Sequence, residues 1–365
     1  MPEDVNQRRL LFALPFLHFG VGRLAIDLAH AAAAEGWSVD VLTCGGTKEM
    51  QDDPQQLAEI VGRGGAVHHA DVFSRDPAVM RAASARVGTI CRERQIAVIH
   101  AFTAPAAAAS LDHRPVMCSV VGWAAEKAGW QRSMDAALLE RCDIVTVVSE
   151  AVRAEVRAAG VTRPDVRLIL HGVALDPSRD LARVDPAGTL TRIGVMAHLI
   201  ERKGVDVLLR ALAQLGPDRW RRLIVAGTGE AEAALRSLSA KLLPLPRVSW
   251  LGAVSTVSFF DQVDLVVVPS RSDALPLVLL QAMAYGVPVI ASRVGGIPEA
   301  AAHPNEALLV EPGDPLALAD AIAWTLADPP AALGRARAAR RRVEHDFSLA
   351  AMAAQYIAGY AELCP

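Results

Sequence analysis

The sequence has 365 residues, with 37 lysines and arginines against 40 aspartates and glutamates, and 52% of its residues are hydrophobic. At about 150 residues per domain, this length allows two or three domains. The apolar content excludes a disordered chain, which would be more polar and more highly charged. The net charge of −3 argues against a nucleic-acid partner, because neutralising phosphates normally needs a basic excess.

The N-terminal residues resemble a signal peptide only in part. Arg8 and Arg9 precede an apolar stretch, but Glu3 and Asp4 offset their charge, and no cleavage site follows. We therefore predict a buried first strand over residues 10–14 rather than a leader. Elsewhere no apolar run approaches the roughly 18 residues that cross a bilayer, so any membrane contact is expected to be peripheral.

The cysteines are odd in number and scattered, with no Cys-x-x-Cys pair. They are Cys44, Cys91, Cys118, Cys142 and Cys364. This pattern indicates neither a disulfide framework nor a zinc site, and it favours a reducing, cytoplasmic location. The histidines form no metal-spaced cluster, and no Asp-x-Asp pair for a nucleotide-bound metal is present. We therefore expect no metal and no cofactor.

Two other groups of residues are interpreted as surface features. His68 and His69 are adjacent, so in a strand they would point to opposite faces. The arginine-rich run 335–342 is interpreted as a solvated helix face. Contact of this run with acidic lipid is the alternative.

Short apolar runs alternate with segments of helical periodicity through the whole chain. Gly36 is expected to end a first helix that begins at Arg23, and Ser149 to cap a helix that begins at Glu150. Strands are predicted at residues 10–14, 37–43, 98–101, 115–121, 144–148, 192–197, 223–226, 248–251, 265–268 and 288–291. The alternation implies parallel sheets with right-handed crossovers, so we predict two doubly wound α/β domains.

Gly20, Val21 and Gly22 are predicted to form the loop between the first strand and the first helix. Glycines there let a ligand approach the backbone, and the helix N-terminus attracts an anion. A tight strand-to-helix turn would need the same residues, so that alternative stays open.

Two loops in the second half also follow predicted strands, where parallel sheets usually bind ligands. One runs from His198 to Gly204 and carries Lys203, which could meet a diphosphate as a point charge. The other contains Gly229. For a single lysine, a solvated charged loop is the alternative.

The segment 269–285 combines several signals. Pro276 suits the first turn of a helix, and Gly286 suits its C-terminal end. The first N–H groups of this helix would be unpaired donors at its positive end, and Gln281 would lie on the same face. Gln281 could then reach ligand hydroxyls. Alternatively, Asp273 only caps the helix and Gln281 faces solvent.

In these residues the chain resembles the retaining glycosyltransferases of family four, which have the GT-B fold. The resemblance spans nearly the whole chain and is most specific over residues 264–314. It rests on residues 20–22, 144–150, 194–204, 224–229, 248–252, 282–284, 286–289 and 295–299. It implies an α/β GT-B architecture, in which two Rossmann-like doubly wound domains face a central cleft.

The implied domains are an acceptor-side domain over residues 1–172, a linker over 173–190 and a nucleotide-sugar-binding domain over 191–345. A C-terminal helix over 346–365 would cross back to the first domain. The implied partners are a nucleotide-sugar donor and a small-molecule or glycan acceptor.

The resemblance also implies roles for individual residues. Lys203 matches a diphosphate-binding Lys of the family, and His198 stands at the position of its Arg. Asp273 and Gln281 stand where the family has glutamates that contact the donor sugar and the ribose. Lys203, Asp273 and His198 are therefore assigned to catalysis. The residues expected to bind the donor are Gly20, Val21, Gly22, Lys203, Gly229, Leu251, Leu275, Pro276, Leu277, Val278 and Gln281.

Val121, Gly122 and Trp123 are expected on the acceptor or sugar side, with Val121 where the family often has a His. Val121, His198, Asp273 and Gln281 thus depart from the family pattern at the site itself. Three of these four positions keep a related polar residue, which favours a working site with altered specificity.

The predicted function is metal-independent transfer of a sugar from a nucleotide-diphosphate sugar to an acceptor, with retention of anomeric configuration. The alternative is a non-catalytic nucleotide-sugar-binding protein or a partner subunit of an active glycosyltransferase. A sugar-nucleotide epimerase of similar fold would need an acid/base pair near the sugar, which the sequence does not reveal.

Overall fold

The computed structural model describes residues 8–45, 52–113, 115–123, 127–175 and 190–365. The chain folds as two compact units: unit 1 comprises Met1–His171 and Leu349–Pro365, and unit 2 comprises Gly172–Ser348. Most of the predicted linker, residues 176–189, lies outside the described residues. Among the helices in the described ranges, none combines the length and the apolar character needed to cross a bilayer.

Unit 1 is built on a parallel sheet with helices connecting its strands. The strands are β1 Arg9–Ala13, β2 Ser38–Thr43, β3 Val67–His69, β4 Val98–Ala101, β5 Val116–Val120, β6 Ile144–Val147 and β7 Arg167–Leu168. The helices are α1 Phe19–Ala34, α2 Pro54–Gly62, α3 Pro77–Arg94, α4 Ala104–Ser110, α5 Gly129–Glu140, α6 Glu150–Ala158 and, after unit 2 in the chain, α14 Leu349–Leu363. The strand order is β3-β2-β1-β4-β5-β6-β7.

Unit 2 repeats this architecture. Its strands are β8 Arg192–Met196, β9 Arg222–Ala226, β10 Val248–Gly252, β11 Leu265–Val268, β12 Val289–Ser292 and β13 Leu308–Val310. Its helices are α7 Val205–Leu215, α8 Glu232–Leu242, α9 Thr256–Phe260, α10 Leu277–Ala284, α11 Ile297–Ala300, α12 Pro315–Ala327 and α13 Pro329–Asp346. The order β10-β9-β8-β11-β12-β13 makes the sheet doubly wound, because the chain proceeds outward from β8 in both directions.

Every strand predicted from the sequence forms, and its ends shift by no more than one residue. The residues of β1 show why: Leu10, Leu11, Phe12 and Ala13 are all fully buried, as a strand covered on both faces requires. The prediction missed β3, β7 and β13, which are edge strands of only two or three residues. Such short runs carry no measurable periodicity.

The predicted start of the first helix was wrong. Helix α1 begins at Phe19, with His18 as its N-cap, rather than at Arg23. Gly20, Val21 and Gly22 therefore lie in its first turn and not in a loop. The predicted cap of α6 is confirmed, because the Ser149 hydroxyl accepts from the Val152 N–H at the start of that helix.

A buried carboxylate ties the first strands of unit 1 together. Asp40 on β2 is fully buried and accepts hydrogen bonds from Arg94, Arg9, His68 and the Ala66 N–H. Burial alone would raise the pKa of Asp40, but these hydrogen bonds outweigh it and lower that pKa. The prediction that His68 is a surface residue was therefore wrong, since its side chain is only 12% exposed.

A second buried network fixes α14 to the sheet of unit 1. His100 on β4 lies 2.7 Å from the Tyr360 hydroxyl through Nδ1 and 2.7 Å from the Ser119 hydroxyl through Nε2. Ser119 in turn bonds the Thr146 hydroxyl and the Tyr356 hydroxyl. All five side chains are fully buried. The last helix is thus held by specific polar contacts as well as by apolar packing.

The arginine run of α13 is only in part a solvated face, contrary to the prediction. Arg340 is buried and pairs with Glu344 at 2.9 Å. Arg335 lies over the ring of Trp324, 4.9 Å from its centroid. Arg337 and Arg341 are exposed, as helical periodicity places them away from the core.

The His100 network predicts a pH dependence of stability. Burial lowers the pKa of His100 to about 3, against about 6.5 in an unfolded chain. Below pH 6.5 the unfolded state binds a proton that the folded state does not. The free energy of unfolding therefore decreases by about 1.4 kcal/mol for each unit by which the pH is lowered. In His100→Gln, about 2 kcal/mol of the loss between pH 7 and pH 5 should disappear, as measured by urea unfolding.

The control is His345→Gln, because the His345 side chain is 86% exposed. This variant should follow the wild-type profile. Parallel profiles of the wild type and His100→Gln would contradict the prediction.

Candidate functional site

Three loops of unit 2 leave the same edge of its sheet. Strand β8 lies between β9 and β11, and all three strands are parallel. The loops that follow them therefore emerge side by side at their carboxyl ends. The chain order reverses at β8, and such a switch point is where open α/β sheets bind ligands.

The loops after β8 and β9 are hydrogen-bonded to each other. The Leu199 N–H donates to the Thr228 carbonyl at 2.8 Å, and the Ala231 N–H donates to the Leu199 carbonyl at 2.9 Å. A Cβ on Gly229 would lie 2.4 Å from the Leu199 carbonyl oxygen. Because only glycine fits there, the loop of Gly229 can pack closely against the loop that carries His198. The His198 side chain itself is half-buried.

The loops after β8 and β11 also make close contact. The Arg271 N–H donates to the Arg202 carbonyl at 2.7 Å. Gly204 has a φ of +65°, and a Cβ there would lie 2.0 Å from the Pro269 carbonyl oxygen. Glycine is therefore needed both for the backbone conformation and for the close approach.

This contact brings together Lys203 and Asp273, two residues to which the family resemblance assigned roles in one site. Lys203 Nζ lies 2.5 Å from Asp273 Oδ2, and their side chains are 17% and 10% exposed. The Ser270 hydroxyl donates to the same oxygen at 3.1 Å. Asp273 is thus engaged with Lys203 and Ser270, and the alternative that it caps α10 is wrong.

The N-terminus of α10 lies directly after this cluster. Pro276 is the N-cap rather than a residue of the first turn, and within the described residues no side chain caps this helix. The Leu279 N–H bonds the Pro276 carbonyl at 3.1 Å. The N–H groups of Leu277 and Val278 precede it, at the positive end of the helix dipole. Gln281 follows one turn later and is half-buried, so it does not simply face solvent.

Two other predicted donor residues have different surroundings. Leu275 is only 3% exposed and belongs to the core. Leu251 is half-buried on β10, which is separated from β8 by β9. Leu251 therefore lies to one side of the loops that follow β8, β9 and β11.

The predicted residues of unit 1 follow two strands that are not neighbours in the sheet. Gly20, Val21 and Gly22 follow β1, whereas Val121, Gly122 and Trp123 follow β5, and β4 lies between these strands.

The two groups differ in how they are packed. A Cβ on Gly22 would lie 2.7 Å from Gln56 Oε1 and 2.8 Å from the Leu17 carbonyl carbon, so packing alone requires this glycine. Trp123 is 7% exposed, with Lys127 Nζ 4.1 Å from its ring centroid.

Sequence reasoning missed three residues beside Lys203. Ser270 is buried and could have been found from its place directly after β11. The Arg271 guanidinium bonds both carboxylate oxygens of Asp206, at 2.7 and 2.8 Å, which lowers the pKa of Asp206. No local pattern links two residues so far apart in the chain.

The described ranges contain no group of three or more His, Cys, Asp or Glu side chains that could hold a metal ion.

The close approach at Gly204 predicts a large effect of adding one methyl group. Gly204→Ala should lower the free energy of unfolding by about 2 kcal/mol or more, through strain at positive φ and the clash with Pro269. The control is Gly334→Ala, since Gly334 is an exposed residue of α13 with nothing within 4 Å of its Cβ position. That change should stabilise the protein by about 0.5–1 kcal/mol, because alanine favours the helix. Calorimetric unfolding measures both, and a Gly204→Ala protein as stable as the wild type would contradict the argument.

Two family profiles match the sequence. The profile described as "Glycosyltransferase Family 4" matches residues 20–177, and the one described as "Glycosyl transferases group 1" matches residues 187–328. Together they cover most of the chain and most of both units.

Among individual relatives, the D-inositol 3-phosphate glycosyltransferase of Corynebacterium efficiens is 35% identical over 182 residues, which are 47% of this chain and 42% of that protein. The N-acetyl-alpha-D-glucosaminyl L-malate synthase of Bacillus anthracis is 28% identical over 225 residues, which are 60% of this chain and 59% of that protein. The chain thus spans about half the length of these relatives.

A likeness in three dimensions extends over nearly all of the chain. The structure of Anabaena HepE in complex with UDP-glucose matches with a TM-score of 0.81 and 20% identity, and the match covers 97% of this chain and 99% of that one. It supports the predicted architecture of two Rossmann-like units with parallel sheets, which is the GT-B fold. The profile matches and this fold confirm the resemblance seen in the sequence: the chain belongs to the glycosyltransferases of family four.

Proposed function

We propose that this protein transfers a sugar from a nucleotide-diphosphate sugar to an acceptor, with retention of anomeric configuration and without a metal ion. The observation that carries the proposal is the meeting of Lys203 and Asp273 beside the N-terminus of α10. Membership in family four supports the same class of reaction.

Unit 2 offers several positive groups to a leaving diphosphate. The Lys203 ammonium has three N–H donors, and Asp273 engages one of them. The N–H groups of Leu277 and Val278 add the positive end of α10, and His198 adds a further charge when it is protonated. Together these groups would stabilise the charge that develops on the phosphate as the glycosidic bond breaks. These groups would therefore take the role that a divalent cation has in metal-dependent transferases.

Asp273 and Gln281 would orient the rest of the donor. The two hydrogen bonds that described residues make to the Asp273 carboxylate end on Oδ2, so we assign Oδ1 to a hydroxyl of the donor sugar. Gln281 lies one turn beyond Leu277 and Val278, and its amide can both donate to and accept from ribose hydroxyls. A neutral amide makes a weaker contact there than a carboxylate would.

Retention of configuration would need no protein nucleophile. The leaving phosphate can accept the proton of the acceptor hydroxyl on the face where the new glycosidic bond forms. Two relatives are named for D-inositol 3-phosphate and L-malate, so we propose a small-molecule acceptor. We assign the acceptor to unit 1, near Val121, Gly122 and Trp123.

A reducing, cytoplasmic setting fits the thiol chemistry. All five cysteines lie in the described ranges, and all are free thiols.

The donor can be identified before activity is known. A ligand that binds only the folded state raises its stability, so a thermal-shift screen of UDP-, GDP- and ADP-sugars should yield one stabilising class. Stabilisation by none of them would contradict the proposal.

Lys203→Ala should lower the rate of nucleoside-diphosphate release from that donor about a hundredfold, because one charge-stabilising donor is lost. The control is Lys241→Ala, since Lys241 is an exposed residue at the end of α8. Wild-type turnover by Lys203→Ala would refute the assigned role. Donor binding by the wild type with no turnover on any acceptor would instead favour a non-catalytic nucleotide-sugar-binding protein.

Chelation tests the proposed metal independence, and product analysis tests the proposed retention of anomeric configuration. Turnover should be unchanged in EDTA, because the proposed charge stabilisation comes from side chains and N–H groups. The product should keep the anomeric configuration of the donor, as measured by NMR. Loss of activity in EDTA that Mg²⁺ or Mn²⁺ restores, or an inverted product, would contradict the corresponding part of the proposal.

A further inference from the structure

Lys203 lies at the end of a single 3₁₀ turn, Glu201–Lys203, between β8 and α7. A turn of this length has few internal hydrogen bonds, so contacts from other segments must fix its position. The loop after β11 supplies such contacts, and Arg271 in that loop bonds the turn through both its side chain and its backbone.

Arg271 bonds the backbone before Lys203 and one side chain after it. Its Nη1 donates to the Glu201 carbonyl at 2.8 Å. Its guanidinium also donates to both carboxylate oxygens of Asp206, in the first turn of α7. Its own N–H donates to the Arg202 carbonyl at 2.7 Å. One residue therefore holds the chain just before and just after Lys203.

We propose that Arg271 is a positioning residue that fixes Lys203 for the diphosphate of the donor. This inference rests on the proposed function, because it assumes that Lys203 meets that diphosphate. It acts through its contacts with the Glu201 and Arg202 carbonyls and with the Asp206 carboxylate, which hold the Lys203 turn and the start of α7 against the loop that carries Asp273.

The geometry distinguishes this contact from an ordinary surface ion pair. The Arg271 and Asp206 side chains are 35% and 29% exposed, and their contact is bidentate. Only a guanidinium can span the carboxylate and the Glu201 carbonyl at once, because its donors form a planar fork. Arg293 and Glu311 offer a contrast in unit 2, since they lie 3.7 Å apart with side chains 43% and 73% exposed. Such a pair contributes little.

The test compares nucleoside diphosphates with their monophosphates, by calorimetric titration of UDP and UMP, GDP and GMP, and ADP and AMP. The wild type should prefer one diphosphate over its monophosphate, and Lys203→Ala should lose that preference. Arg271→Ala should reduce the preference about tenfold while leaving the monophosphate affinity unchanged, a coupling typical of contacting residues. Arg293→Ala is the matched control and should behave as the wild type.

Two further variants separate positioning from charge. Arg271→Lys should lose most of the preference as well, because one ammonium cannot replace the fork. Adding Asp206→Ala to Arg271→Ala should cause no further loss, since both changes break the same contact. Full rescue by Arg271→Lys would mean that only the charge matters, and it would overturn the proposal.

The measurements distinguish a failure of the proposed function from a failure of the positioning role of Arg271. If the wild type shows no diphosphate preference, or Lys203→Ala keeps it, the proposed function fails. If both behave as expected and Arg271→Ala keeps the full preference, the positioning role is wrong. If Arg271→Ala loses affinity for monophosphate and diphosphate equally, together with thermal stability, its role is only structural and the inference is again overturned.

Discussion

The ion pair between Lys203 and Asp273 is the contact around which the loops of unit 2 are arranged. Both side chains are largely buried, and a buried charge is costly unless an opposite charge meets it. Each residue therefore needs the other in the unliganded protein. The surrounding features follow from this need: a glycine at position 204 allows the loops to approach, and Arg271 holds them together. A donor diphosphate would enter a site where the cation is already in place.

Unit 1 uses buried polar contacts for stability. Asp40 joins the strands at one side of its sheet, and His100 joins β4 to the last helix of the chain. Helix α14 therefore belongs to the fold of unit 1, although it follows unit 2 in sequence. Asp40 and all five side chains of the His100 network are fully buried, and such a network favours one arrangement because alternatives leave buried polar groups unpaired.

The sequence analysis was accurate where physical signals are local. Apolar runs located the central strands, since burial on both faces leaves a continuous pattern. The loop after a predicted strand suggested Lys203 as a diphosphate contact, and only the resemblance to family four favoured this role over a solvated lysine. The start of α1 was missed because Gly20 and Gly22 have poor helix propensity, which packing against neighbouring segments overrides. The contacts of Arg271 with Glu201 and Asp206 could not be predicted either, because these two residues lie 70 and 65 residues away in the chain. Only the folded structure brings such residues together.

The most direct measurement is a crystal structure with the nucleotide sugar that stabilises the protein best. Phosphate oxygens should lie within hydrogen-bonding distance of Lys203 Nζ and of the N–H groups of Leu277 and Val278. A donor bound elsewhere, with Lys203 in contact only with Asp273, would show that this edge of the unit 2 sheet is not the donor site.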